Sequence, residues 1–141
     1  PSKGAREHTV NIKLNPLRAQ IEGKRIILID DSIVRGTTSE RMITPLRHMG
    51  VKEVHLRISS PPFKHPCYFG TDIDSAENLI ANHMTVDEIC RKIGADSLEY
   101  LDLDNLEAIG KAHGVPFCSG CFTGKYPIPV VGCGKHTFED K

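Results

Sequence analysis

The sequence has 141 residues, which suits a single domain. Lysine plus arginine and aspartate plus glutamate both number 18, so the formal net charge is zero, and this balance argues against a chain whose main task is to bind nucleic acid. Because the sequence has neither an apolar stretch of about 18 residues nor a signal-peptide segment at its start, we expect a cytoplasmic protein without a membrane partner.

The first part of the chain predicts two strands and the helix between them. Residues 9–16 alternate apolar and polar side chains, which indicates either a short half-buried strand or an arm that orders when a ligand binds. Residues 25–30 form an almost unbroken apolar run, which predicts a strand buried on both faces. Residues 38–50 have helical spacing, and Pro45 should kink that helix or divide it into two short pieces. With a second strand at 52–58, these elements make a βαβ unit with parallel strands.

The second part of the chain predicts shorter elements. Residues 59–72 are rich in proline and should form a structured loop, after which Ser75 is expected to cap a short helix over 76–83. Thr85 and Glu88 form a capping box, which opens a helix over 85–93 that ends at Gly94. A short strand at 97–101 and a helical turn or two at 104–109 should follow. Little regular structure is expected from Gly110 onward, where glycine, proline and cysteine dominate.

Two adjacent aspartates, Asp30 and Asp31, stand at the end of the predicted strand 25–30. In an open parallel sheet, ligands bind beyond the carboxyl ends of the strands. The following loop 32–38 leads into a helix, whose unpaired N–H groups favour a phosphate. The carboxylates suit cations, sugar hydroxyls or a developing positive charge. For an isolated pair, a simpler interpretation would be preferred, in which Asp31 only caps the helix and Asp30 is a surface carboxylate.

The flanks of the pair carry a family resemblance. Residues 26–38, IILIDDSIVRGTT, resemble almost residue for residue the phosphoribosyl pyrophosphate signature of type I phosphoribosyltransferases. The resemblance implies part of the Rossmann-like α/β fold of that family, with a parallel sheet, flanking helices and here an irregular cysteine-rich tail. It implies that Asp30 and Asp31 are catalytic, hold the ribose hydroxyls and bind Mg²⁺. The substrate phosphate would lie on loop 32–38, whose implied binding residues are Ser32, Val34, Arg35, Gly36, Thr37 and Thr38.

Further segments resemble glutamine phosphoribosylpyrophosphate amidotransferases. They are REHTVNIKLNPLR (6–18), VHLRISSPP (54–62), HPCYFGTDI (65–73), IGADSLEYL (93–101) and CSGCFTGKYP (118–127). The family reaction transfers glutamine-derived ammonia to C1 of phosphoribosyl pyrophosphate, which gives phosphoribosylamine and pyrophosphate in the first committed step of purine synthesis. The resemblance implies homotetramers that also bind purine nucleotides as feedback inhibitors.

Family members are longer and begin with a glutaminase domain that this sequence does not show. We therefore expect residues 1–110 to be the C-terminal part of the phosphoribosyltransferase domain and 111–141 to be a cysteine-rich tail. Residues 1–20 should be a flexible loop over the substrate, in which Arg6 and Lys13 are candidate pyrophosphate ligands or else solvated charges. The isolated segment is expected to be inactive, because the other wall of the site and the ammonia source are missing.

The five cysteines are many for a chain without a secretion signal, and their odd number argues against a disulfide framework. Cys118 and Cys121 form a C-x-x-C motif, for which zinc and redox functions are alternatives. In amidotransferases that carry a four-iron four-sulfur cluster, cysteines match Cys67, Cys118 and Cys121, so the resemblance implies a 4Fe-4S cluster whose fourth ligand lies upstream. Cys90 is expected to be a buried hydrophobe, and Cys133 a free thiol or a substitute ligand.

Two other functions compete with the enzyme. Some proteins keep the phosphoribosyltransferase fold and signature but regulate transcription by binding nucleotides and nucleic acid, although this sequence lacks a basic patch and a helix-turn-helix pattern. A small structural zinc protein would account for the cysteines alone.

Overall fold

The structure is a computed structural model, and it describes residues 17–71, 73 and 75–130. The expectations for the segment 9–16, for Arg6 and Lys13 and for Cys133 fall outside these residues.

Three parallel strands form one sheet, with helices before, between and after them along the chain. The strands lie in the order β1–β2–β3 and span Arg25–Asp30, Glu53–Ile58 and Ser97–Tyr100. The helices are α1 (Arg18–Ile21), α2 (Thr37–His48), α3 (Val86–Ile93), α4 (Leu103–Ala112) and α5 (Gly120–Thr123), and two 3-10 turns span Ala76–Asn78 and Ile80–Asn82. This architecture confirms the predicted α/β class and the predicted βαβ unit.

The main core lies on one face of the sheet. The inward side chains of β2 are buried there against those of α2 and α3, and the cluster includes Val54, Leu56, Ile58, Ile43, Ile89 and Ile93. The prediction that β1 is buried on both faces is wrong for the described residues, since Ile27 and Ile29 are 69% and 74% exposed. The apolar run fails as a guide because the described elements pack against only one face of β1, the face that carries Ile26 and Leu28.

Helix α2 runs without interruption through Pro45, so the expected division into two short pieces is wrong. Proline lacks the N–H that would bond to the carbonyl of Arg41, and this loss falls at an exposed residue of the helix. The hydroxyl of Thr44 donates to the Glu40 carbonyl at 2.8 Å, which satisfies another acceptor in that turn. The helix closes ahead of Gly50, whose φ of +81° suits glycine.

The capping box that opens α3 is confirmed. The backbone N–H of Glu88 donates to the Thr85 hydroxyl at 3.3 Å, and the Glu88 carboxylate accepts from the Thr85 N–H at 2.7 Å. The predicted helix over 76–83 is wrong, because two 3-10 turns stand there with an extended Leu79 between them. With this extended backbone, the neighbouring residues Leu79 and Ile80 lie in two different apolar clusters.

The helix before the cysteine-rich tail is longer than the sequence indicates, whereas the described part of the tail has little regular structure, as expected. Helix α4 has 10 residues rather than a turn or two, and Asp102 caps it by accepting the Asn105 N–H at 2.8 Å. After α4, the described residues 113–130 of the cysteine-rich tail contain one helix, α5, which has 4 residues. Within the described part of the chain, no helix is long and apolar enough to cross a membrane.

A second apolar cluster lies beside the main core and joins distant parts of the chain. Its buried members are Phe63, Ile73 and Leu79. Partly buried side chains from loop 32–38, from the loop after β2 and from the tail pack against it, namely Val34, Cys67, Cys121 and Phe122. Phe63 and Phe122 stack with their ring centroids 5.1 Å apart, which contributes to attaching α5 to the loop that follows β2.

Candidate functional site

Asp30 and Asp31 lie at the carboxyl end of β1, where the sequence places them. The Asp31 backbone N–H donates to Oδ1 of Asp30 at 3.0 Å, and the Ser32 hydroxyl donates to Oδ1 of Asp31 at 3.2 Å. The backbone carbonyl of Asp30 accepts from the Ser59 N–H at 3.0 Å and from its hydroxyl at 3.3 Å. The two carboxylates are therefore attached to a main chain that is fixed from the β2 side.

The carboxylate of Asp30 is held in an environment that resists ionisation. Burial raises its pKa above the usual range, and the neighbouring charge of Asp31 acts in the same direction, while the Asp31 N–H opposes them. A carboxylate in this position gains more than an exposed one from a cation or from donors that neutralise its charge. The geometry thus favours a positively charged or hydroxyl-bearing ligand beside Asp30.

Loop 32–38 ends at an uncapped helix start. Gly36 is the N-cap of α2 with φ +80°, and no side chain among the described residues caps that end of the helix. The alternative in which Asp31 merely caps the helix is therefore wrong. The N–H groups of the first turn, beside the exposed Thr37 and Thr38, are available to an anion.

The aspartates and the loop line one cavity of about 500 Å³. The predicted residues Ser32, Val34, Arg35, Gly36, Thr37 and Thr38 line it together with Asp30 and Asp31. Ile33 and Ser39 also line it, although the sequence did not single them out. The cavity therefore combines negative charge with donors for an anion, which fits a ligand with a sugar and a phosphate.

Loop 32–38 is held on its core side by Ile80, a residue that the sequence did not single out. The Ile80 N–H donates to the Val34 carbonyl at 2.9 Å. A Cβ on Gly36 would lie 2.9 Å from Cδ1 of Ile80, so a larger residue would force the end of the Ile80 side chain to shift, and the positive φ independently favours glycine. The apolar pair Leu79–Ile80 between two polar stretches was the only sequence signal for this support, and it reads equally well as an ordinary core contact.

Three of the cysteines lie in one neighbourhood around α5. Burial raises the pKa of Cys121, and the nearby thiols of Cys67 and Cys118 raise it further. Burial also acts on Cys67, but backbone N–H groups of residues 69–71 outweigh it and lower the pKa of that thiol. The Thr71 N–H lies 3.4 Å from Sγ of Cys67, and such donors stabilise a thiolate.

Cys90, the other cysteine that the structure describes, lies against the core as predicted but is only partly buried. Cys90 packs against the main core, and its thiol donates to the Ala95 carbonyl at 3.3 Å. Burial raises the pKa of Cys90, as expected for a structural thiol. In the described part of the chain, no group of three or more His, Cys, Asp or Glu side chains is assembled closely enough to hold a metal ion.

The sequence is similar to amidophosphoribosyltransferases from bacteria, archaea and plants. The Synechocystis enzyme is 51% identical over 130 residues, which cover 92% of this chain and 26% of the relative. The Archaeoglobus fulgidus enzyme is 50% identical over 134 residues, which cover 94% of this chain and 29% of the relative. The chain thus spans a little more than a quarter of the length of these curated relatives. No protein-family model matches it.

Two solved structures have the same fold over nearly the whole chain. One is described as the allosteric regulatory enzyme of purine biosynthesis, with a TM-score of 0.77 and 48% identity over 94% of this chain and 29% of that one. The other is glutamine phosphoribosylpyrophosphate amidotransferase from Bacillus subtilis complexed with ADP and GMP, with a TM-score of 0.77 and 47% identity over 94% of this chain and 30% of that one.

Proposed function

Because this chain belongs to the amidophosphoribosyltransferase family over the segment that it spans, we propose that it forms part of an enzyme that makes phosphoribosylamine from phosphoribosyl pyrophosphate and ammonia. The observation that carries the proposal is the shared cavity, in which Asp30 and Asp31 stand next to the uncapped start of α2. The regulatory nucleic-acid-binding alternative is not favoured, since the relatives are named as enzymes of this one type.

Loop 32–38 would bind the 5′-phosphate. Its support is the free helix end, where backbone N–H groups and the positive end of the helix dipole face the cavity. The hydroxyls of Ser32, Thr37 and Thr38 add further donors beside that end. Glycine at position 36 allows the backbone to approach the phosphate closely.

Asp30 and Asp31 would hold the ribose hydroxyls in the same cavity. When pyrophosphate leaves, the C1–O bond breaks, its electron pair stays on the pyrophosphate oxygen, and positive charge develops on the ribose. Two carboxylates beside the ring stabilise that charge, and ammonia then forms the C1–N bond and loses a proton. The same carboxylates are the oxygen ligands that Mg²⁺ prefers, and the ion would neutralise charge on the leaving pyrophosphate.

The remaining assignments concern parts of the protein outside this site. Arg6 and Lys13 would contact the pyrophosphate from an N-terminal loop over the substrate, and ammonia would come from a glutaminase domain elsewhere in the full-length protein. We also propose a cytoplasmic homotetramer that binds purine nucleotides. The B. subtilis structure with ADP and GMP supports nucleotide binding.

Cys67, Cys118 and Cys121 would contribute three thiolates to a 4Fe-4S cluster, with the fourth ligand from outside the described residues. Their donor chemistry supports this, because the Gly120 N–H lies 3.4 Å from Sγ of Cys118 and the N–H groups of residues 69–71 favour the Cys67 thiolate. The thiols are close enough to influence one another but are not assembled as a metal group, so closing the site would require movement of the tail.

The central test is turnover by the full-length enzyme with ammonia in place of glutamine. Asp30→Asn and Asp31→Asn should each lower kcat/KM by about 10²- to 10³-fold, because each removes a charge that stabilises the transition state. Asp104→Asn is the matched control, since Asp104 is exposed on α4, and it should leave turnover unchanged. Retention of full activity by both site variants would contradict the proposed function.

A further inference from the structure

Two pairs of adjacent residues divide between the same two apolar clusters. Ile33 is 2% exposed and belongs to the main core, whereas its neighbour Val34 packs against the second cluster. Ile80 likewise belongs to the main core, and its neighbour Leu79 is fully buried in the second cluster. Loop 32–38 and the segment around Ile80 therefore each contribute one residue to the main core and one to the second cluster.

Direct contacts join the two pairs. The 2.9 Å hydrogen bond from the Ile80 N–H to the Val34 carbonyl fixes the distance between loop 32–38 and the segment around Ile80. Cδ1 of Ile80 fills the space beside Gly36, where a Cβ would lie only 2.9 Å away. Ile80 does not line the cavity that Asp30 and Asp31 share with the loop.

We propose that Ile80 is a positioning residue for loop 32–38: it holds the loop in the conformation that receives the substrate phosphate without touching the substrate. This inference rests on the proposed function of the site. The Ile80 side chain fills the space beside Gly36 and prevents the loop from moving toward the core. The Ile80 N–H holds the Val34 carbonyl and prevents the loop from moving away from it. Both contacts act on the N–H groups at the start of α2 through the residues immediately before them.

The segment that contains Ile80 is attached through Asn82 to the loop after β2, and that loop is attached to the tail. The Asn82 side-chain amide donates to the Lys64 carbonyl at 3.0 Å and to the Ala76 carbonyl at 2.8 Å. The backbone N–H groups of Lys64 and His65 both donate to the Cys121 carbonyl at 3.0 Å. The segment that positions the loop is therefore attached to α5, and Asn82→Ala should act in the same direction as a change at Ile80, with a smaller effect.

The experiment uses the full-length enzyme with Ile80→Val and Ile80→Ala. Ile89→Val and Ile89→Ala are matched controls, because Ile89 is equally buried in the main core but belongs to α3. Ile80→Ala should raise KM for phosphoribosyl pyrophosphate roughly 3- to 30-fold with little change in kcat, and Ile80→Val should raise it less. Thermal unfolding identifies any variant whose effect comes from a loss of folded protein.

Two competitive inhibitors separate the phosphate loop from the rest of the site. For Ile80→Ala, the inhibition constant of ribose 5-phosphate should rise by the same factor as KM, while that of inorganic pyrophosphate should stay unchanged. An equal rise for both inhibitors, or a rise in KM that the Ile89 controls share, would overturn the positioning function while leaving the proposed reaction intact. Absence of phosphoribosyl pyrophosphate turnover in the wild-type enzyme would overturn both.

Discussion

The backbone N–H of Asp31 donates a 3.0 Å hydrogen bond to the carboxylate of Asp30, while the charge of Asp31 opposes ionisation of the same carboxylate. Burial adds to that opposition and leaves the pKa of Asp30 raised. The residue that the proposed reaction needs as an anion is therefore the one whose ionised form the fold disfavours. Such a conflict between stability and function is typical of catalytic groups.

Asp30→Asn should make the protein more stable while it lowers activity. The pKa of Asp30 is raised on folding, so its contribution to stability is present below the unfolded pKa and is lost as the pH rises through the folded pKa. At neutral pH the variant should have a higher free energy of unfolding than the wild type, and the gain should disappear in acid. Urea denaturation at both pH values measures this, with Asp104→Asn as the control, and a loss of stability at neutral pH would contradict it.

Gly36→Ala should weaken phosphoribosyl pyrophosphate binding and destabilise the fold. The variant carries both the strain of φ +80° and a contact with Cδ1 of Ile80, and together these should cost about 2 kcal/mol. Gly23→Ala is a matched control, because φ is +69° there but nothing lies within 4 Å of the added Cβ. Chemical denaturation measures the loss of unfolding free energy in each variant. The difference between the two losses is the cost of the contact with Ile80.

Ile80→Val should partly rescue Gly36→Ala, because it removes the methyl group that the new Cβ meets. The backbone strain at position 36 would remain, so the rescue should be incomplete. Substrate KM and unfolding free energy of the double variant test this. Strictly additive effects of the two changes would show that Ile80 and Gly36 do not act on each other.

Asp96→Asn should destabilise the protein by about 1 kcal/mol. The Asp96 carboxylate accepts from Arg47 at 2.5 Å and from the Val54 N–H at 2.6 Å, which ties α2 to the sheet. Burial raises its pKa, but these two donors outweigh burial and lower it. The stabilisation is thus present above the unfolded pKa and is lost as the pH falls through the folded pKa.

Denaturation of Asp96→Asn at neutral and acid pH checks both the size and the direction of that effect. Glu22→Gln is the control, because the Arg18–Glu22 pair is exposed and should contribute little. The difference between wild type and Asp96→Asn should shrink in acid. A difference that grew on acidification would contradict the assigned sign.

Tyr100→Phe should leave stability unchanged or raise it by up to about 1 kcal/mol. Among the described residues, the Tyr100 hydroxyl is buried without a hydrogen-bond partner, and burial raises the pKa of this residue to about 12. Tyr126→Phe is the matched control, because the Tyr126 hydroxyl donates to the Pro66 carbonyl at 2.7 Å and its loss should cost about 1 kcal/mol. Equal destabilisation by the two changes, measured by denaturation, would contradict the prediction.

The features that the sequence predicted correctly depend on residues near one another along the chain. The Thr85–Glu88 capping box closes within one helical turn, and the Asp30–Asp31 pair passes directly into the loop and helix that follow it. Strand and helix periods located β2, β3 and α3 for the same reason. Local hydrogen bonding and side-chain alternation are sufficient to specify such elements.

The predictions that failed depend on what packs against each element. An apolar run in β1 cannot reveal that Ile27 and Ile29 lie on a face that the described helices leave open. Likewise, the pattern over 76–83 does not reveal that Leu79 and Ile80 enter different clusters, which breaks the expected helix into two 3-10 turns. In both cases tertiary burial overrides the local preference.

The sequence alone thus determined the class of fold, the strand that ends in Asp30, and the order of carboxylates, loop and helix that makes a phosphate site plausible. Only the tertiary structure decided what supports that site. Ile80 reaches Gly36 across more than 40 residues of chain, and Asp96 reaches Arg47 across 49. Contacts over such separations arise when the sheet and helices close around a common core, and no short stretch of sequence encodes them by itself.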